Sequence, residues 1–308
     1  KINREATGTA QKGFYLKQLA MSLIPIPPLG EQHRIVAKIE EILPYIDQYD
    51  KAYTKLETFN KKFPGDMKKS ILQMAMQGKL VEQRREEGTA DELYEQIVAE
   101  KARLIKDGKI KKEKPLPEIT DDEIPFEIPS SWKWVRIGEV ISYQNGYSYS
   151  SKDMSHLQIG YPVIKSGNLM TLQVVINSKT SYIDKPNDKM LESQIKKNDM
   201  LMCLSSQSDN PEPLGKTAVY RYDFPALLNQ RVLKITAIKL EMVELLYYFI
   251  NSHYFHYNVS HQGGGSAQAN LKLEHVLNML IPLPPLKEQK RIVAKIVELL
   301  PYCDRFIK

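Results

Sequence analysis

The chain has 308 residues, 42% hydrophobic and 26% charged, with 43 Lys and Arg against 37 Asp and Glu and a formal net charge of +6. That length exceeds the usual domain of about 100 to 200 residues. The composition excludes a disordered or collagen-like chain, and no apolar run approaches the roughly 20 residues of a membrane span. Cys203 and Cys303 are too few for a disulfide framework and point to a reducing cytoplasm, while a start at Lys1 without Met or an apolar signal core points to a trimmed or partial chain. The positive charge favours polyanionic partners only weakly, because Ser130 to Leu280 carries 15 basic against 12 acidic residues.

An internal repeat organises the chain. From Leu23, LIPIPPLGEQHRIVAKIEEILPYID returns at Leu280 as LIPLPPLKEQKRIVAKIVELLPYCD, identical at 19 of 25 positions with a constant offset of 257 residues. Solenoid units of about 20 to 50 residues are excluded by that spacing, so the repeating unit is a whole domain plus a connector. After the extended Pro25-Ile26-Pro27-Pro28, apolar residues at Ile35, Ile39, Ile42, Ile46, Tyr49, Tyr53 and Leu56 follow heptad steps of four and three, predicting a long helix. The second copy repeats the seam at Ile292, Ile296, Leu299, Cys303 and Phe306, so the two helices are candidates to pack on each other. Pro44 and Pro301 predict a bend within each. A helix from Glu31 to Lys62 would span about 48 Å at about 1.5 Å per residue, more than the roughly 34 to 36 Å of one DNA turn.

Pro64-Gly65 predicts the end of this helix, and Asp66 to Gln77 a returning helix stopped by Gly78. A third helix begins at Thr89, which has capping-box spacing to Glu92, carries Leu93, Ile97 and Leu104 on one face, and ends at Asp107-Gly108. Lys109 to Glu127, with its prolines and mixed charge, reads as a linker. From Pro129 the texture turns to short β-rich runs: Trp134 to Ile141, Tyr161 to Ile164, Val174 to Ile176, Met200 to Leu204, Thr217 to Tyr222 and Val232 to Thr236. Glu241 to Ser252 is the clear helix among them. Residues 129–282 therefore read as one globular α+β domain with a mixed sheet.

Catalytic motifs are incomplete. Gly215-Lys216-Thr217 lacks the glycine a phosphate-binding loop needs five positions earlier, where Asn210 stands. Asn210-Pro211-Glu212-Pro213 lacks the second proline in place and the aromatic of an amino-methyltransferase element. His253, His256 and His261 lie among Tyr254, Phe255 and Tyr257 without the Cys or carboxylate spacing of a zinc site, so aromatic packing is the better reading. The acids of Asp121-Asp122-Glu123 fit a solvated linker.

Polar clusters suited to reading bases are better represented. Lys165-Ser166-Gly167-Asn168 and Ser205-Ser206-Gln207 each follow a strand, and Asn229-Gln230-Arg231 precedes one, which places all three on loops at one rim of the sheet. Asn and Gln pair with adenine, Arg with guanine, and Ser or Lys with phosphate; ordinary turn chemistry also uses Ser, Asn and Gly. Gly263-Gly264-Gly265-Ser266, with Gln268 and Asn270, suits close approach of backbone amides to a phosphate.

The Pro-Pro-Leu-x-Glu-Gln-x-x-Ile-Val-Ala-Lys-Ile element at residues 27–39 and 284–296 resembles the specificity subunit of type I restriction–modification systems. The opening Ser131-Trp132-Lys133-Trp134-Val135-Arg136-Ile137-Gly138-Glu139 looks like the start of that family's target-recognition domain, and Gly215-Lys216 and Asn229-Gln230-Arg231 are similar to its later landmarks. The resemblance implies a non-catalytic subunit whose recognition domains each read half of a split target in double-stranded DNA. Long antiparallel coiled-coil-like helices would hold the domains apart and dock adenine methyltransferase subunits carrying S-adenosylmethionine, and a restriction subunit driven by ATP and Mg would join for cleavage. No cofactor is expected in this chain. The resemblance divides the sequence into 1–28, the tail of a preceding recognition domain; 29–112, a helical spacer; 113–282, a recognition domain; and 283–308, the start of a second spacer. The presence of one complete recognition domain leaves open a piece of a longer subunit or a half-size form that pairs with itself on a palindromic site. The rival class is a coiled-coil scaffold that binds no DNA.

Overall fold

The computed structural model describes residues 20–21, 23–170, 172–205, 214–262 and 271–305. The chain forms two compact units, residues 1–61 and 62–308. Helix α1 (Leu29–Met76) begins in the first, directly after the Pro-rich segment, and carries Glu31 in its first turn. Its expected seam faces solvent throughout: Ile35, Ile39, Ile42, Ile46, Tyr49, Tyr53 and Leu56 are all exposed.

The same helix continues into the second unit to Met76, through Pro64-Gly65, so the predicted break and returning helix are corrected. Proline costs the helix one backbone bond and a clash. Here Pro64 is itself buried, and the following turns are fixed by burial of Ile71, Ala75 and Met76. The helix ends at Gly78, whose φ of +67° suits glycine and where the Lys79 amide bonds back to the Met74 carbonyl. Helix α2 (Ala90–Lys106) buries Leu93 and Ile97 and ends before Gly108 at φ +68°. Thr89 stands at its N-cap without forming the expected side-chain cap; the Ala90 amide instead donates to the Ser131 carbonyl at 2.8 Å, tying α2 to the start of the sheet domain.

That domain contains strands β1 (Lys133–Arg136), β2 (Ile141–Asn145), β3 (Tyr161–Ile164), β4 (Leu169–Met170), β5 (Leu172–Val174), β6 (Ser181–Ile183), β7 (Gln194–Ile195), β8 (Met200–Cys203), β9 (Thr217–Val219), β10 (Ala226–Leu228), β11 (Val232–Ala237) and β12 (Leu280–Leu283). Between and after them lie helices α3 (Ile137–Val140), α4 (Asp188–Leu191), α5 (Val243–Ile250), α6 (His253–Gln262), α7 (Leu273–Asn278) and α8 (Leu286–Asp304). The strands form a six-stranded sheet in the order β2-β11-β8-β9-β5-β4, a four-stranded sheet β6-β3-β10-β7, and the pair β1-β12. Both larger sheets mix parallel and antiparallel pairs, as an α+β fold does. The predicted run from Trp134 to Ile141 is two strands separated by the turn of α3, because Gly138 packs where a Cβ would lie 2.8 Å from Leu116 and 3.1 Å from Leu277. The predicted helix over 241–252 begins as a 3₁₀ turn at Leu240–Met242, and α6 follows it where aromatic packing was expected. Phe255 and Val259 on α6 are buried, whereas His253 is exposed.

The segment expected to be a linker is held onto this domain by Arg136. Its buried guanidinium donates to the carbonyls of Pro117, Glu118 and Asn278 at 2.7–2.9 Å and to both carboxylate oxygens of Glu123 at 2.9–3.0 Å. Glu123 is thus an ion-pair partner rather than a purely solvated acid, and the Arg136 hydrogen bond holds its pKa below the ordinary carboxylate range. The second copy of the repeat is built into the same unit. β12 pairs antiparallel with β1, Leu280 opposite Arg136 and Leu283 opposite Lys133. On α8, Ile292, Ile296 and Cys303 share a buried cluster with Ile71, Ala75, Met76, Trp132, Leu245 and Phe249. In this copy Ile292, Ile296 and the partly buried Leu299 pack on the sheet domain and the end of α1. α8 runs through Pro301 as α1 runs through Pro44.

Candidate nucleic-acid interface

Three of the predicted loops meet at one rim, and backbone pairing explains why. β3 and β10 run parallel, with Ile164 opposite Leu228, so Lys165–Asn168 and Asn229–Arg231 leave the sheet at the same end. β8 runs antiparallel to β11, with Cys203 opposite Val232, so Ser205 arrives where Arg231 departs. The Asn229 amide donates to the Ile164 carbonyl at 3.0 Å and the Leu204 amide to the Arg231 carbonyl at 3.2 Å, which stitches the loops together.

A further segment reaches this rim that motif reasoning did not single out. The Tyr147 amide donates to the Leu228 carbonyl at 2.8 Å, and the Gln230 amide returns to the Tyr147 carbonyl at 3.0 Å. Gly146 makes that approach possible, since a Cβ there would lie 2.1 Å from the Asn229 carbonyl oxygen. The available signal was the glycine between Asn145 and Tyr147, directly before an alternating Tyr-Ser-Tyr run. Tyr147 and Tyr149 pack with ring centroids 5.1 Å apart and planes tilted by 57°; burial raises the Tyr149 pKa, and its hydroxyl bonds to Ser193.

The individual side chains differ in what they can offer. Gln230 and Arg231 are exposed, and the Arg231 guanidinium has no hydrogen-bond or ion-pair partner among the described residues. Asn229 is half-buried, its Oδ1 facing the Arg231 amide at 3.5 Å. Lys165 is half-buried and donates to Ser181 Oγ at 3.0 Å, while Ser166 lies partly exposed on the 3₁₀ turn 166–168. Asn168 is corrected as a base reader. It is buried, accepts from the Lys165 amide at 3.0 Å, and donates to the Val175 carbonyl at 2.9 Å and Thr180 Oγ1 at 3.1 Å, so its amide is spent on shaping the turn. Ser205 Oγ is buried and has no partner among the described residues.

Lys216 is half-buried beside β8, its carbonyl accepting from the Cys203 amide at 2.9 Å. Ser206, Gln207, Gly264, Ser266, Gln268 and Asn270 lie outside the described residues, as do residues 1–19 and Phe306. Leu271, which follows the glycine-rich segment, is held at the same rim by its amide bond to the Leu204 carbonyl at 2.8 Å.

The rim segments 145–149, 165–168, 203–205 and 229–231 contribute Lys165 and Arg231 and no carboxylate. Such a surface attracts a polyanion and presents amide and guanidinium groups able to pair with base edges. Among the described residues no group of three or more His, Cys, Asp and Glu could hold a metal, and no helix is long and apolar enough to cross a membrane. Cys203 and Cys303 are both buried.

Comparison with known proteins places this geometry in context. Residues 129–303 match the family model described as the type I restriction modification DNA specificity domain. The chain is 30% identical over 322 residues to the EcoAI type I restriction enzyme specificity subunit of Escherichia coli, covering 92% of this chain and 54% of that protein. It is 28% identical over 246 residues to the EcoEI specificity subunit of the same organism, covering 78% and 41%. A chain from a solved type I restriction–modification system, studied for complex assembly and conformational transition, superposes with a TM-score of 0.52 at 21% identity over 97% of this chain and 58% of that one. The chain spans about half the length of the curated relatives it matches.

Proposed function

The chain belongs to the type I restriction–modification DNA specificity family, and from that premise we propose that it reads one half of a split double-stranded DNA target. The observation that carries the reading is the rim: Tyr147, Lys165, Ser166, Asn229, Gln230 and Arg231 are brought to one edge by strand pairing, with no carboxylate among these segments. Lysine and serine groups fix register on phosphates, while Gln230 and Arg231 meet base edges in the groove. The chain supplies recognition and no bond-making chemistry. Adenine methyltransferase subunits with S-adenosylmethionine would act on the target base after it leaves the stack, and an ATP- and Mg-dependent restriction subunit would cleave. A coiled-coil scaffold would account for α1 but gives no reason for this rim.

The test is mapping of methylated adenines across the genome of cells expressing the chain with its cognate methyltransferase, alongside Gln230→Ala and Arg231→Ala. A split motif that depends on the chain and is lost or relaxed at one position in the variants, with subunit assembly intact, is the expected result. Loss of one good base contact is worth about 1–3 kcal/mol, or roughly a 5- to 150-fold weaker preference. Unchanged methylation by both variants would remove these residues from the reading face. No chain-dependent motif despite assembly with an active methyltransferase would overturn the function.

A further inference from the structure

The segment joining α2 to the sheet domain carries a charge pattern that the reading rim does not use. It holds Lys106, Lys109, Lys111, Lys112 and Lys114 against Asp107 and Glu113, so nine residues account for half of the chain's net charge of +6. All five lysines are exposed. Both acids are already taken. Glu113 pairs with Lys101 at 3.1 Å and Asp107 with Lys109 at 3.7 Å, which leaves Lys106, Lys111, Lys112 and Lys114 without an ion pair among the described residues.

The backbone beneath these lysines is fixed. α2 ends in a turn where Gly108 takes φ +68° and the Lys109 amide returns to the Leu104 carbonyl at 2.9 Å. Beyond the turn, Ile110 and Leu116 pack on the main core of the domain, and Leu116 lies against Gly138. Lys101 locks the segment from below: its ammonium reaches Glu113 and also donates to the carbonyls of Gly138 and Ile141 at 2.5 and 3.1 Å. Anchoring thus uses Ile110, Glu113 and Leu116 and needs none of the four lysines. Crowded like charges repel one another, so a fixed segment that presents them suits a polyanionic partner.

The strip also has a defined relation to the rim. Ile141 opens β2, an edge strand of the six-stranded sheet, and Asn145 at its other end opens the rim segment 145–149. Glu113 acts on this strand, since burial and then the Glu113 charge raise the Tyr143 pKa. Four residues of strand span about 13 Å at about 3.3 Å each, close to the roughly 12 Å width of the DNA major groove. A duplex whose groove meets the rim has a phosphate backbone on that length scale from it.

We propose that Lys106, Lys111, Lys112 and Lys114 form a second DNA contact, a clamp on the phosphate backbone that supplies affinity without reading sequence. Phosphate contacts fix register and carry no base information, and each one releases condensed counterions. The rim then discriminates among duplexes that the strip has attracted. The clamp rests on the proposed recognition of DNA, but salt dependence reads it, whereas methylation reads the recognition.

The test is titration of the full chain against fluorescent duplexes of several unrelated sequences over a range of salt, with Lys106→Gln, Lys111→Gln, Lys112→Gln and Lys114→Gln combined. Each phosphate contact contributes about 0.9 to the slope of log affinity on log salt, so the slope should fall by about 2–4, equally for every sequence, with cooperative melting kept. Removing the same charge at the exposed Lys185, Lys189, Lys287 and Lys290 should change it by less than about 1. An unchanged slope in the strip variant would overturn the clamp and leave an acidic protein surface as the partner of these lysines. An equal fall in the control variant would overturn it as well, because net charge rather than this strip would then set binding. A chain-dependent methylation motif together with an unchanged slope removes the clamp alone, and no duplex binding at low salt removes the recognition with it.

Discussion

Truncating matched positions of the repeat separates the contribution of the buried cluster from that of the sequence. Ile292 and Ile35 occupy the same position in the two copies, but Ile292 is fully buried among Trp132, Leu245 and Phe249 while Ile35 is 43% exposed on α1. Ile292→Ala removes three carbons from a closed cluster, about 2.4 kcal/mol of transfer at about 0.8 kcal/mol per methylene. A cavity term then brings the cost to about 3 kcal/mol, within the usual range of about 2–5. Ile35→Ala removes the same atoms from a surface already in water, so its cost stays below about 1 kcal/mol. Urea unfolding of the full chain at submicromolar protein, followed by tryptophan fluorescence, reads the second unit, where both Trp132 and Trp134 reside. A clear drop in midpoint for Ile292→Ala with almost none for Ile35→Ala is expected. Equal shifts, or a loss below about 1 kcal/mol at Ile292, would refute the argument that burial of the second copy stabilises this unit.

Other consequences are as direct. Asn168→Ala should cost about 1–3 kcal/mol by leaving the Lys165 amide and Thr180 hydroxyl short of partners, whereas Ser166→Ala should stay within about 0.5; comparable melting temperatures would make Asn168 a free reader again. Gly146→Ala should destabilise by about 1–3 kcal/mol, because the added methyl meets the Asn229 carbonyl oxygen. It should also impair target recognition, and a variant with wild-type melting and methylation would show that the approach is slack. At Glu288, burial raises the carboxyl pKa against the hydrogen bonds from Trp132 and Gln83. Folding therefore favours the protonated form, and the resulting stabilisation is complete below the ordinary carboxylate pKa and lost as pH rises through the folded value. Wild type should lose stability relative to Glu288→Gln over that interval in paired denaturation curves, and a pH-independent difference would contradict the burial argument.

The architecture was legible where side-chain pattern and length coincide. Tyr161–Ile164, Met200–Cys203 and Val232–Ala237 stand out because a strand of four to six residues in a β-rich run has room to show itself. Gln194–Ile195, Leu169–Met170 and Ala226–Leu228 do not, since two or three residues carry no period and are fixed by their neighbours. The helix at 253–262 mixes histidine, tyrosine and asparagine around its circumference, which hid it among apparent core aromatics. Proline at position 64 suggested a stop, and only burial of the turns beyond it shows why the helix persists. At the rim, the residue types of Lys165-Ser166-Gly167-Asn168 were visible, but which of them turns inward was not. Asn168 is a turn-forming asparagine, and hydrogen-bond geometry alone separates it from Gln230.

The pairing of β1 with β12 means that the chain passes into and out of the sheet domain side by side, through one narrow neck at Lys133–Arg136 and Leu280–Leu283. None of the rim segments belongs to that neck. Arg136 clamps it with bonds to Pro117, Glu118 and Asn278, and Glu288 fastens it to the following helix through Trp132. A domain mounted this way behaves as a cartridge. The rim segments 145–149, 165–168, 203–205 and 229–231 stand apart from Leu245, Phe249 and Asn278, which hold the flanking helix and the neck, so the proposed reading surface could change while the frame that carries it stays the same.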